Sequence, residues 1–289
     1  MSSGDSGLAP RFIVPHRRPS EPYPESDNAW KPWYGPLAAV TGFLVGAIAG
    51  VIVVVIGSAA GASIKNAPPG VVDAATVVEE MTFVLTALFI ASRVGRPRLE
   101  QFGLRRPRVR LVQAAILVPV GYVSFLILAA IWAAVINSSS QEKNLVKEVG
   151  GHSGTLGIVG AVLVTCVVAP MCEEFLFRGF IFGALRNWRG PWIAAILTGI
   201  LFGAIHVGSA PAVDLVPLGA LGMILCAIRQ WTGSLYPTIA LHAFNNSIAL
   251  GVNLGWGWQI PVALVASLAA IFLLITLMLR VVGPRAGLT

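Results

Sequence analysis

Charge is scarce in this chain. Asp, Glu, Lys and Arg make up 11% of its 289 residues while 56% are hydrophobic, against about 25% charged residues in an ordinary soluble domain. That deficit excludes a fold that covers its own surface with ionic groups in water. Cysteine is also sparse: Cys166, Cys172 and Cys226 fall in or beside apolar runs, without the paired spacing of zinc or disulfide frameworks, and read as small buried hydrophobes. Histidine occurs four times, and no HExxH pair stands one helical turn apart. There is no repeat of fixed period, and no low-complexity segment beyond the N-terminal tail.

What the chain has instead is long apolar runs. A helix needs roughly 20 apolar residues to cross the hydrocarbon of a bilayer, and eight such runs are legible: 37–60, 72–92, 111–136, 155–176, 191–209, 213–229, 234–253 and 260–282. The expected fold is all-α, a polytopic integral membrane protein of about eight transmembrane helices, with the cell membrane as its location. Residues 1–36 are polar and rich in proline (Pro15, Pro19, Pro22, Pro24) and read as a disordered cytoplasmic tail. The first apolar run begins too far in for a removable signal peptide. Residues 37–282 read as one transmembrane domain and 283–289 as a short cytoplasmic tail.

With eight spans, every Lys and Arg except Lys65, Lys143 and Lys147 falls on one side. The positive-inside rule then puts both termini in the cytoplasm. The formal net charge of +7 is thus an expression of topology and of attraction to anionic headgroups. The basic 93–110 loop has Phe102 alone as an aromatic, too little for stacking bases, so no nucleic-acid partner is expected. Trp30, Trp33 and Tyr34, Trp188 and Trp192, and Trp231 and Tyr236 stand at span ends on that same side, as an interfacial belt requires. Gly42, Gly46 and Gly50 on the first span, and Gly199 and Gly203 on the fifth, recur every four residues and let helix backbones approach closely.

Against this background the intramembrane ionisable residues stand out, because they are costly in lipid and usually functional. Glu173 and Glu174 are adjacent, and Arg178 follows Glu174 by four. Residues four apart share a helix face while neighbours point about 100° apart, so Glu174 can pair with Arg178 and Glu173 is left free. Ending the fourth span at 176 would put Glu173 at the membrane edge. A long tilted helix through about Asn187 would put it at mid-depth, and a break near Gly179 or Gly183 is the competing arrangement. Phe202 and His206 are four apart on the fifth span, and His242 and Asn246 on the seventh. Each pair alone is as readily packing or interhelical glue. Together they place proton-transfer and oxyanion-binding side chains on three spans, while the other histidines, His16 and His152, lie in the tail and a loop. Glu79 and Glu80, on the second span, either line the same cavity or face water near the interface.

Glu173-Glu174-x-x-x-Arg178, Phe202-x-x-x-His206 and His242-x-x-x-Asn246, in that order, resemble the three motifs of the CAAX protease and bacteriocin-processing family of intramembrane endopeptidases. The run GMILCAIRQWTGSLYPTIALHAFNN resembles the helix pair leading into the last of them. The resemblance covers about residues 155–255. It implies an endopeptidase, like the type II CAAX prenyl proteases, in which Glu173 and His206 activate water. His242 and Asn246 then stabilise the oxyanion, with Glu174, Arg178 and Phe202 in support. Such chemistry needs either no cofactor or a divalent metal such as zinc, for which Glu173, His206 and His242 could be three ligands and leave a fourth position open. The implied partners are a membrane protein or peptide substrate and the lipid bilayer, with nothing said of oligomeric state. A family member acting as a non-catalytic scaffold or immunity partner is the second reading. A transporter using Glu173, His206 and His242 as a proton or cation relay is the third. An endopeptidase requires Glu173, His206, His242 and Asn246 to converge on one cavity.

Overall fold

The computed structural model describes residues 30–64, 67–136 and 154–282. The expectations placed on residues 1–29 and 283–289, and on His16, His152, Lys65, Lys143 and Lys147, lie outside the described residues. Among the described residues the chain is all-α: α1 (Tyr34–Ala59), α2 (Pro69–Ser92), the single turn α3 (Leu99–Phe102), α4 (Leu111–Val135), α5 (Gly154–Leu163), α6 (Ala169–Glu174), α7 (Phe182–Ile205), α8 (Leu215–Thr232), α9 (Tyr236–Asn253) and α10 (Gln259–Val282). No strand is present among them. Six helical stretches are long and apolar enough to cross a membrane: 34–59, 69–92, 111–135, 154–205, 212–232 and 259–281. The protein is therefore an integral, multi-pass membrane protein.

The eight apolar runs are eight helical segments, and the stretches number six for two reasons. The fourth and fifth runs are two helices joined without a break in the stretch Gly154–Ile205: α5, α6 and the start of α7, with π-helical turns at Val164–Val168 and Phe175–Ile181 between them, lead to Gly190, and the rest of α7 folds back so that the Phe177 and Phe202 rings lie 5.2 Å apart. The non-helical residue within α7 is Gly190, at φ 81° and ψ 174°. Pro191 disfavours the helical conformation at the residue before it, and glycine alone takes a positive φ without strain. The long fourth helix thus runs on past 176 and past Gly179 and Gly183 and ends at Gly190, where the chain turns back. The other reason is α9, which carries His242, Asn245, Asn246 and Ser247 and is less apolar than its neighbours.

Several boundaries move. The first helix starts at Tyr34, so residues 34–36 belong to it and not to the tail. The fifth run ends at Ile205, not 209, with His206 as the C-cap. Trp30 is not an interfacial residue: it is 5% exposed and packs on Phe102 and Phe180, at ring-centroid distances of 4.9 and 4.6 Å. Trp33, Trp188, Trp192 and Trp231 are exposed, as belt residues would be. Cys166, Cys172 and Cys226 are buried free thiols.

Helix contacts follow the small residues. Gly42 and Gly46 of α1 face Phe83, Thr82 and Glu79 of α2, and Gly199 and Gly203 of α7 lie against Leu215, Gly219 and Met223 of α8. The 103–108 segment straps the α8–α9 turn from below. Leu235 N–H donates to the Gly103 carbonyl (2.8 Å) and Arg108 N–H to that of Thr232 (2.9 Å), while the Ser234 hydroxyl donates to the Arg105 carbonyl (2.6 Å). The strap fixes the start of α9, and with it the height of His242.

Candidate active site

The two adjacent acids divide as helical spacing predicts. Arg178 Nη1 donates to Glu174 Oε1 at 2.7 Å, with both side chains fully buried. Arg178 Nη2 donates to the carbonyl of Gly222 on α8 (3.1 Å), and the guanidinium lies 4.3 Å above the Phe202 ring. Gly222 has to be glycine: a Cβ there would stand 2.9 Å from the Gly199 Cα and 3.3 Å from Arg178 Nη2. A pair sealed this deeply holds only because the guanidinium also has a carbonyl and an aromatic face to meet.

Glu174 does more than neutralise Arg178. Its Oε1 also accepts from His242 Nδ1 at 3.0 Å, a link that spacing along one helix gives no means to see, since it joins α6 to α9. Because a carboxylate only accepts there, the proton is on Nδ1, and the ring is turned so that Nε2 lies 3.9 Å from Glu173 Oε2. Glu173 is 7% exposed and its Oε2 has no hydrogen-bond partner. It is the acid left unengaged.

Asn246 is set by a proline. In the π-helical turn the Ala169 N–H donates to the Val164 carbonyl, five residues back. The same register would pair the Thr165 carbonyl with residue 170, but Pro170 has no N–H. The Asn246 amide takes that carbonyl instead, Nδ2 to O at 2.9 Å, and its own Oδ1 accepts from Asn245 Nδ2 (3.2 Å). An amide nitrogen has two N–H groups, so one remains for a ligand. Thr165 and Asn245 were not singled out from sequence; Pro170 inside an apolar run was the available signal, since π-turns cluster at functional sites.

His206 joins the group through Phe202. Its Nδ1 lies 2.7 Å from the Phe202 carbonyl, an acceptor, so the proton is on Nδ1 and Nε2 carries the lone pair. The Phe202 ring meets the rings of His206 (5.0 Å) and His242 (5.6 Å) edge-on. No hydrogen bond joins His206 to Glu173. Among the described residues no three His, Cys, Asp or Glu side chains gather as a metal-ligand set, so Glu173, His206 and His242 do not assemble here in the way a zinc site would need. Glu79 and Glu80 lie within electrostatic range of Glu173, and Glu80 is 6% exposed with Oε2 unpartnered. Glu80 is thus buried on the side of Glu173, while Glu79 is half-buried against α1 beside Ala47 and Gly50.

The fold and these side chains define a class: a polytopic helical membrane protein with two buried carboxylates, Glu173 and Glu174, on either side of a buried imidazole, His242, between α6 and α9. Residues 155–248, about a third of the chain, match the family described as type II CAAX prenyl endopeptidase Rce1-like. Curated relatives include an uncharacterized 24.3 kDa protein of Escherichia coli, 29% identical over 32% of this chain and 44% of the relative. The "Putative membrane peptidase YdiL" of Bacillus subtilis is 27% identical over 32% and 37%. The UPF0177 protein YxdF of Lactococcus lactis is 27% identical over 35% and 58%. The matches thus span less than two thirds of each relative. No solved structure matches the chain.

Proposed function

We propose that the chain is an intramembrane endopeptidase that hydrolyses a peptide bond in a membrane-associated protein or peptide. The observation that carries this reading is the unengaged, buried Glu173 carboxylate beside a histidine oriented by the Glu174–Arg178 pair, within the segment that matches the endopeptidase family.

In the proposed cycle Glu173, with His206 Nε2 as the second acceptor, takes a proton from water as the water oxygen bonds to the scissile carbonyl carbon. The carbonyl π-electrons move to oxygen. The free Asn246 N–H and the His242 ring, acting as an imidazolium with Nδ1–H on Glu174 and Nε2–H on the substrate, donate to that oxyanion. Collapse of the intermediate breaks the C–N bond, and the proton held by Glu173 passes to the departing nitrogen. The products are a carboxylic acid and an amine, which become carboxylate and ammonium by passing the remaining water proton between them, with no net change at the protein.

The test compares the termini of membrane and secreted peptides from cells carrying the wild type, Glu173→Gln or His206→Ala. Termini present in the wild type should vanish in both variants. Once a substrate is in hand, loss of a positioned general base should cost about 10²–10⁴-fold in kcat. Full cleavage by a folded Glu173→Gln protein would overturn the proposal.

A further inference from the structure

Glu79 has a different setting from its neighbour Glu80. Its carboxylate lies at one end of an open groove of about 410 Å³ between α1 and α2. Val51 and Val55 of α1 and Val72 and Ala75 of α2 are among the residues that line the rest, and Glu79 is the one ionisable group in the lining. Thr82 bonds to the Glu79 backbone carbonyl (2.6 Å), but among the described residues no donor meets the Glu79 carboxylate. The charge within electrostatic range of it is another acid, Glu173.

Glycines on α1 make the room. A Cβ at Gly46 would stand 3.0 Å from the Glu79 Cγ, and the nearest atom to a Cβ at Gly50 is the Ala75 carbonyl oxygen, 3.8 Å away. The Glu79 stem can therefore lie between the two helices, and the groove floor stays low. Glu79 stands roughly 15 Å along α2 from Pro69,, near the middle of a membrane-spanning helix. A carboxylate at that depth is costly in hydrocarbon and is usually met by a partner, and an acyl chain filling the groove would offer none. The volume is in the range of ligand clefts. It is less than one full turn of a helix about 10–12 Å across, so an extended chain fits where a helix does not.

We infer that the α1–α2 groove is a substrate subsite for an extended, apolar peptide segment carrying one basic residue, whose charged tip pairs with Glu79. The inference rests on the endopeptidase reading and names what that site prefers. Long basic side chains lay their methylene stems along apolar surface and carry the charge at the end, which suits a valine-lined groove that closes on a carboxylate. Glu79 is in range of Glu173, and an extended chain advances about 3.3 Å per residue, so the basic residue falls within a few residues of the scissile bond. Glu79 then determines which peptide is held, while Glu173 acts on water.

The experiment starts from the peptide termini that appear in cells carrying the wild type and vanish with Glu173→Gln. These should carry Lys or Arg at one fixed position within a few residues of the cut. A synthetic peptide of one such sequence, and its analogue with norleucine in place of the basic residue, are then cleaved by the purified full chain in detergent. Glu79→Gln should raise KM for the basic peptide about tenfold, the worth of one charge-assisted hydrogen bond, with kcat little changed. The norleucine peptide should lose as much with the wild type, and the two changes together should cost no more than either alone. Val51→Phe, at an exposed position in the groove, should raise KM for both peptides. If no terminus depends on Glu173, the endopeptidase reading fails and the inference falls with it. If cleavage depends on Glu173 but the sites share no basic residue, or Glu79→Gln keeps the wild-type KM for the basic peptide, the inference alone is overturned. An unchanged KM with Val51→Phe overturns it as well, whether or not Glu79→Gln folds.

Discussion

Glu173 and Glu174 are neighbours with opposite circumstances, and substitution should separate them. Glu174 holds both Arg178 and His242 on one oxygen. Glu174→Gln leaves a buried guanidinium without its counter-charge, which should cost about 3–5 kcal/mol and appear as a clear loss of thermal stability. Glu173→Gln breaks no hydrogen bond, because Glu173 Oε2 has none. Its unfolding midpoint should stay at that of the wild type while cleavage disappears. Equal midpoints for the two variants would contradict the division of roles. Asn246→Ala should reduce kcat by about 10²–10³-fold if its free N–H serves the oxyanion, and also destabilise the protein modestly, since the Thr165 carbonyl loses its donor. Single-turnover kinetics and a melting curve read the two effects apart.

At the scale of elements, the helix pair within Gly154–Ile205, folded at Gly190, is where local chemistry sets the site. Pro170 removes the N–H that the Thr165 carbonyl would otherwise take, and the π-turn and the Asn246 bond both follow. Pro170→Ala restores that donor inside a helix, where proline costs about 3 kcal/mol. The variant should therefore be at least as stable as the wild type, yet cleave more slowly, because Asn246 loses its sole claim on Thr165. Unchanged cleavage by a folded Pro170→Ala protein would show that the π-turn has no part in activity. The π-turn after Glu174 serves packing as well, since Gly179 within it lies against Phe102, and Phe102 stacks on Phe175 with ring centroids 4.4 Å apart. The strap end and the acid pair are thus joined through one aromatic cluster.

For the whole molecule, the charge asymmetry makes a prediction about orientation. Both termini and the 93–110 loop should face the cytoplasm. With the native thiols buried, a cysteine at Ser3 and another at Ser92 should react with a membrane-impermeant maleimide only in inverted vesicles. Labelling of either in intact cells would reverse the topology.

Much of this was decided one residue at a time along the chain. The apolar runs, the Glu174–Arg178 spacing, the Gly190–Pro191 bend and the order of the three motifs are local properties, because helix periodicity and the cost of charge in lipid act on neighbours in sequence. The break considered near Gly179 was also a local reading, but the helix continues there, packed against Phe102 and Leu235. What only the tertiary structure decided are the meetings between helices: His242 on Glu174, Asn246 on Thr165, Phe202 under Arg178, Glu80 beside Glu173, and Trp30 in the core. None of these follows from spacing, since each depends on the relative height and rotation of two rods. Those are set by where glycines allow close approach and by the strap that fixes the start of α9.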